Sequence, residues 1–142
     1  MTDEAIQRGI DNLMKTFGRV PDTFQVMLDH APDAFAGYTA MRGFVMRDRD
    51  EGAALDLKTK EFIFVLLDVA GGNLVGAKSH LTQSMKLGLT IPELVEGLVQ
   101  VMMCNGITAW NLVGRPVLEH GLEVQAGLDK AQAEKPGRAR SD

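Results

Sequence analysis

Cysteine is nearly absent from this chain: Cys104 is the only one in 142 residues. A single thiol excludes an intrachain disulfide and any dithiol redox centre within one chain, and it fits a reducing cytoplasm. Long apolar runs are missing too. The longest, Phe62-Ile63-Phe64-Val65-Leu66-Leu67, stops at Asp68 and is far too short to span a bilayer. The first residues, Met1-Thr2-Asp3-Glu4, are acidic and hold no apolar signal core, so secretion is not expected. No block of Lys or Arg is long. The net charge of −4 and isoelectric point near 5.3 argue against nucleic acid or an anionic membrane as a partner. Aromatic residues are scarce at 6%, whereas methionine numbers 8, so aliphatic and thioether groups must fill the core.

What is present has the balance of a soluble globular protein, 45% hydrophobic and 24% charged, at a length that suits one ordinary domain. Alternating strand patterns are nearly absent, and the apolar spacing is helical. Ile6, Ile10, Leu13, Met14 and Phe17 mark a first helix over 4–17, ended by Gly18 and Pro21. A short segment with Phe24, Met27 and Leu28 runs to Pro32, and a further helix runs from Pro32 to about Arg47. Arg47 to Gly52 is polar and reads as a loop. Asp56 or Thr59 caps a helix that ends at Gly71-Gly72. Between Glu61 and Ala70 this helix is apolar on most faces, which predicts burial on all sides in a domain centre or a subunit interface.

Asn73 is a suitable N-cap for the next helix, with Gly88 at its left-handed end. Thr90-Ile91-Pro92-Glu93 reads as a capping box with Pro in the first turn. The last helix spans roughly 108–128, with a kink or break expected at Gly114-Arg115-Pro116. The expectation is an all-α, single-domain bundle of about six helices over 1–130, followed by a frayed polar tail over 131–142.

The informative residues are polar ones inside apolar helices. Glu61 and Asp68 are seven apart and share a helix face. His80 lies about two turns beyond the Gly71-Gly72 turn, so a helical hairpin would bring Glu61, Asp68 and His80 to one crevice. A carboxylate beside a histidine fixes its tautomer and suits it to proton transfer near neutral pH. The plainer reading is a pair of interior polar residues satisfying each other. Trp110 and Arg115, five residues apart, would offer an apolar wall and an anion contact, although a packed Trp and a surface Arg are commoner. His30 and His120 read as solvated histidines near helix ends, and Cys104 as a small core hydrophobe. The three histidines show no HxxxH or HExxH spacing, so no metal site is expected.

The stretch from Leu55 to Glu96 resembles the carboxymuconolactone decarboxylase and alkylhydroperoxidase D-like superfamily. The resemblance rests on Leu55 to Glu61, the apolar helix, His80, and Lys86-Leu87-Gly88-Leu89-Thr90-Ile91-Pro92-Glu93-Leu94-Val95-Glu96. The family's CxxC motif would fall on Asn73 and Gly76, neither of which forms a thiolate. The chain therefore resembles the branch without that motif. In place of the lactone decarboxylases' Tyr-Gly-Gly-Val-Pro-like phrase stands Asn105-Gly106-Ile107-Thr108-Ala109-Trp110-Asn111.

The resemblance implies a homo-oligomer, trimer or hexamer, and a lyase that needs no cofactor and acts on a small carboxylated lactone or related ring-cleavage acid. In that reading His80 is the acid, Glu61 orients and polarises it, and Asp68, Arg115 and Trp110 contact the substrate. Two rival readings are a peroxidase-like oxidoreductase, weakened by the missing dithiol, and a non-catalytic helical scaffold. An enclosed pocket reached by His80 favours the lyase; a His80 packed and fully hydrogen-bonded favours the scaffold.

Overall fold

A computed structural model describes residues 2–134. Helix is their dominant secondary structure, with no strand among the described residues, in agreement with the all-α expectation. The α-helices are α1 (Asp3–Phe17), α2 (Asp22–His30), α3 (Pro32–Val45), α4 (Leu57–Gly71), α5 (Leu74–Lys86), α6 (Ile91–Asn105), the single turn α7 (Ile107–Ala109) and α8 (Arg115–Ala133). No described helix is long and apolar enough to cross a membrane.

The chain divides after Ala54 into two compact units. In the first, α3 packs on α1 and α2. Leu13 and Phe35 are fully buried there, and Arg42 reaches Asn12 at 2.7 Å while its guanidinium lies over the Phe17 ring. The polar loop after α3 contains a 3₁₀ turn, Arg49–Glu51, closed by a reciprocal Asp48–Glu51 capping box.

The second unit carries the main core. Val65 and Val69 of α4, Ala77, Leu81 and Met85 of α5, Leu94 and Leu98 of α6, and Val117 of α8 form one buried cluster. Each fully buried Val or Leu contributes roughly 1.5–3 kcal/mol relative to exposure. The anticipated signals hold these helices in place. Asp56 Oδ1 accepts from Thr59 N–H at 2.8 Å, and Asn73 Oδ1 accepts from Gly76 N–H at 3.1 Å. Thr90 and Glu93 form the capping box. Gly72, at φ 79°, turns the chain between α4 and α5 in a conformation that a side chain would strain.

Two expectations change. The break near Pro116 is a π-helical turn, Trp110–Gly114, from which α8 continues without interruption. Pro116 has no N–H to give the carbonyl one turn back, and the wider turn accommodates that loss within a continuous helix. α8 also extends to Ala133, beyond the boundary that composition suggested at 130; residues 135–142 lie outside the described residues. Within one chain α4 is open on one side, so the chain alone does not supply the expected burial on all sides. Its buried seam is Glu61, Val65 and Val69, while Ile63 and Leu67 on another face are 40% and 62% exposed.

Candidate active site

The α4–α5 hairpin builds the site. Glu61 lies one turn into α4, on the seam that faces α5, because Val65 and Val69 at i+4 and i+8 carry that seam into the core. His80 lies at the midpoint of α5, and the antiparallel return after Gly72 sets it opposite Glu61. His80 Nδ1 is 2.6 Å from Glu61 Oε2. The carboxylate is almost fully enclosed at 3% exposure, whereas the imidazole keeps 20%. A carboxylate only accepts, so Nδ1 carries the proton of this bond. Nε2 makes no hydrogen bond to any described residue. One face of the imidazole stacks on Phe64, with ring centroids 4.7 Å apart and planes tilted by 19°.

Asp68 is not part of this pair. It stands at the hairpin turn, where its Oδ1 accepts from Asn73 Nδ2 at 3.0 Å and its backbone carbonyl accepts from Asn73 N–H at 2.8 Å. Two helical turns separate it from Glu61, and the hairpin at that level is already closing. A Cβ on Gly76 would lie 2.5 Å from Asp68 Oδ2 and 2.3 Å from Asn73 Nδ2, so the Asp68–Asn73 pair fills the space beside Gly76. Trp110 packs against the buried core of the second unit, and Arg115 is exposed and paired with Glu119 on its own helix at 2.9 Å. Neither shares a hydrogen bond, ion pair or ring contact with His80.

Two other assignments are corrected. Cys104 is exposed near the end of α6 and is not a core hydrophobe, because the buried seam of that helix is Leu94, Leu98 and Val101. His120 sits well inside α8, not at a helix end, and its Nε2 is 2.9 Å from Thr82 Oγ1 on α5. Sequence reasoning missed Phe64, which reads as one more core residue of an apolar run; its i+3 spacing from Glu61 was the available signal. Nothing in the sequence pointed to Thr82, 38 residues from its histidine partner. Among the described residues no group of three or more His, Cys, Asp or Glu is placed to hold a metal ion.

The model of the carboxymuconolactone decarboxylase family matches residues 32–119, more than half of the chain. The crystal structure of a protein from Burkholderia xenovorans LB400, described as a candidate carboxymuconolactone decarboxylase, is similar at a TM-score of 0.82 and 26% identity. The alignment covers 92% of this chain and 98% of that one. No match was found among curated proteins.

Proposed function

The chain belongs to the carboxymuconolactone decarboxylase family, and from that premise we propose that it is a cofactor-independent lyase acting on a small carboxylated lactone or a related ring-cleavage acid. The observation that carries the reading is the asymmetry of His80: Nδ1 is held at 2.6 Å by an enclosed carboxylate, and Nε2 is left without a protein partner on a partly exposed ring. A fully buried structural histidine pairs both ring nitrogens, whereas the His80 ring keeps 20% exposure and its Nε2 stands open to a small molecule.

In the proposed reaction the bond between the ring carbon and its carboxylate breaks and carbon dioxide leaves. The electron pair stays on carbon as an enolate conjugated with the lactone carbonyl. Nε2–H of the imidazolium delivers a proton to that carbon, and Glu61 holds the ring and balances its charge. Arg115 is a candidate contact for the substrate carboxylate, for which its Glu119 pair would have to open; Trp110 and Asp68 are candidates for shaping the site.

The proposal includes a homo-oligomer, trimer or hexamer, supported by the uncovered Ile63 and Leu67 on α4. Nothing favours the peroxidase-like alternative, since Asn73 and Gly76 supply no thiol and Cys104 stands on a different helix. The test is carbon dioxide release from carboxymuconolactone and a panel of carboxylated lactones. Turnover that disappears in His80→Gln, with the fold intact, supports the lyase. No release from any member, or release unchanged in His80→Gln, overturns it.

A further inference from the structure

Two residues of α4 hold the His80 ring, and only one of them does so by charge. Glu61 binds the ring edge at Nδ1, and Phe64, one turn further along the same helix face, lies flat against the ring at 4.7 Å. A hydrogen bond alone fixes one atom of an imidazole and leaves its plane free to rock about that bond. A nearly parallel phenyl ring removes this freedom, because offset stacking restricts the tilt. A phenyl ring on that face would also keep water from the Nδ1–H···Oε2 bond, and a bond to an ionised acceptor gains strength when water is kept away. Phe64 is itself only partly buried, so its contact with His80 is not simply one more core contact.

We propose that Phe64 is a positioning residue for His80: it fixes the imidazole plane and shields the His80–Glu61 hydrogen bond, so that Nε2 presents in one direction. The inference rests on the catalytic reading of His80 for its consequence in turnover, but its structural content is measurable without any substrate.

The probe is the Nδ1 proton of His80 observed by NMR in the full chain, assigned by its loss in His80→Gln. In the unmutated protein it is expected as a downfield signal in slow exchange with water, and its loss or marked upfield shift in Glu61→Gln identifies the bond. Phe64→Leu is expected to speed its exchange with water measurably, because exchange reports local opening. Phe64→Tyr and Phe64→Trp, which keep a stacking face, are expected to restore slow exchange. Thermal melting of the same samples identifies any variant that fails to fold, and Phe64→Met then serves as the second non-aromatic replacement.

Slow exchange retained in both folded non-aromatic variants overturns the proposal, as does fast exchange in the two aromatic ones. If exchange follows this pattern and His80→Gln has no effect on turnover, the positioning role stands and the lyase reading fails. If exchange does not follow it and His80→Gln abolishes turnover, the lyase stands and the role of Phe64 fails.

Discussion

Thr82 and His120 join α5 to α8 through a hydrogen bond of 2.9 Å whose direction is set by a third group. The Thr82 hydroxyl donates its one proton to the Lys78 carbonyl, 3.0 Å away and one turn back on α5. It is therefore the acceptor towards His120, and the histidine carries its proton on Nε2. Nδ1 of the same ring faces Glu123 across 3.9 Å. α5 is thus held on two sides by histidines that donate from different nitrogens: His80 on α5 from Nδ1 to α4, and His120 on α8 from Nε2 to α5.

This clasp is expected to be structural. Thr82→Val removes the acceptor and should cost about 1 kcal/mol, the net worth of one such hydrogen bond. Urea unfolding of Thr82→Val, His120→Ala and the double variant measures the coupling between them. Fully additive losses would contradict the bond.

For the His80–Glu61 pair, replacement by amides separates chemistry from stability. His80→Gln keeps a donor for the enclosed Glu61 carboxylate, so its melting temperature should stay within a few degrees of the unmutated protein while turnover is abolished. Glu61→Ala leaves a cavity and an unpaired Nδ1–H, and should lose about 1–3 kcal/mol, the desolvation cost of an unsatisfied buried group. Calorimetry and turnover on the same samples check both, and activity falling only in proportion to folded protein would mark the pair as structural.

Packing between α4 and α6 depends on Gly97. A Cβ there would stand 2.5 Å from Phe62 Cζ and 2.9 Å from Leu66 Cδ2. Gly97→Ala gains helix propensity but forces these side chains apart, and overpacking of this kind typically costs about 1–3 kcal/mol. A lowered denaturation midpoint is expected, and a raised one would show that the two side chains yield freely.

Acid should loosen the start of α6. Hydrogen bonds from the Thr90 backbone N–H, the Thr90 hydroxyl and Lys58 hold the Glu93 carboxyl below the ordinary glutamate value. The unfolded chain binds this proton more readily than the folded one, so stability rises with pH here. The contribution is complete above the ordinary glutamate value and is lost as pH falls through the lower, folded one. Amide exchange of Ile91, Glu93 and Leu94 followed between neutral and acidic pH should show earlier fraying than the middle of α6, and Glu93→Gln should remove that pH dependence.

The uncovered face of α4 predicts assembly. Leu67→Asp adds a charge where the single chain is already open, so it should fold normally yet shift the protein towards monomer. Light scattering coupled to gel filtration reads both states, and a monomeric unmutated protein would contradict the oligomer.

The sequence by itself determined the helices and most of their ends. Asp56, Asn73, and Thr90 with Glu93 cap by bonds to residues three positions away, and Gly72 and Gly88 turn the chain with their own positive φ. Such interactions are local, so their spacing can be read along the chain. The partnership of Glu61 and His80 was legible for a related reason: two helices joined by a tight turn have little choice of register. The tertiary structure alone decided the rest. Asp68 bonds Asn73 and not His80, His120 answers Thr82, Cys104 lies outside the core seam, and Phe64 covers the imidazole face. Each of these depends on the rotation of one helix about its axis relative to a neighbour. Apolar periodicity specifies that rotation only to the width of a face, whereas a hydrogen bond or a ring stack requires it to within an ångström.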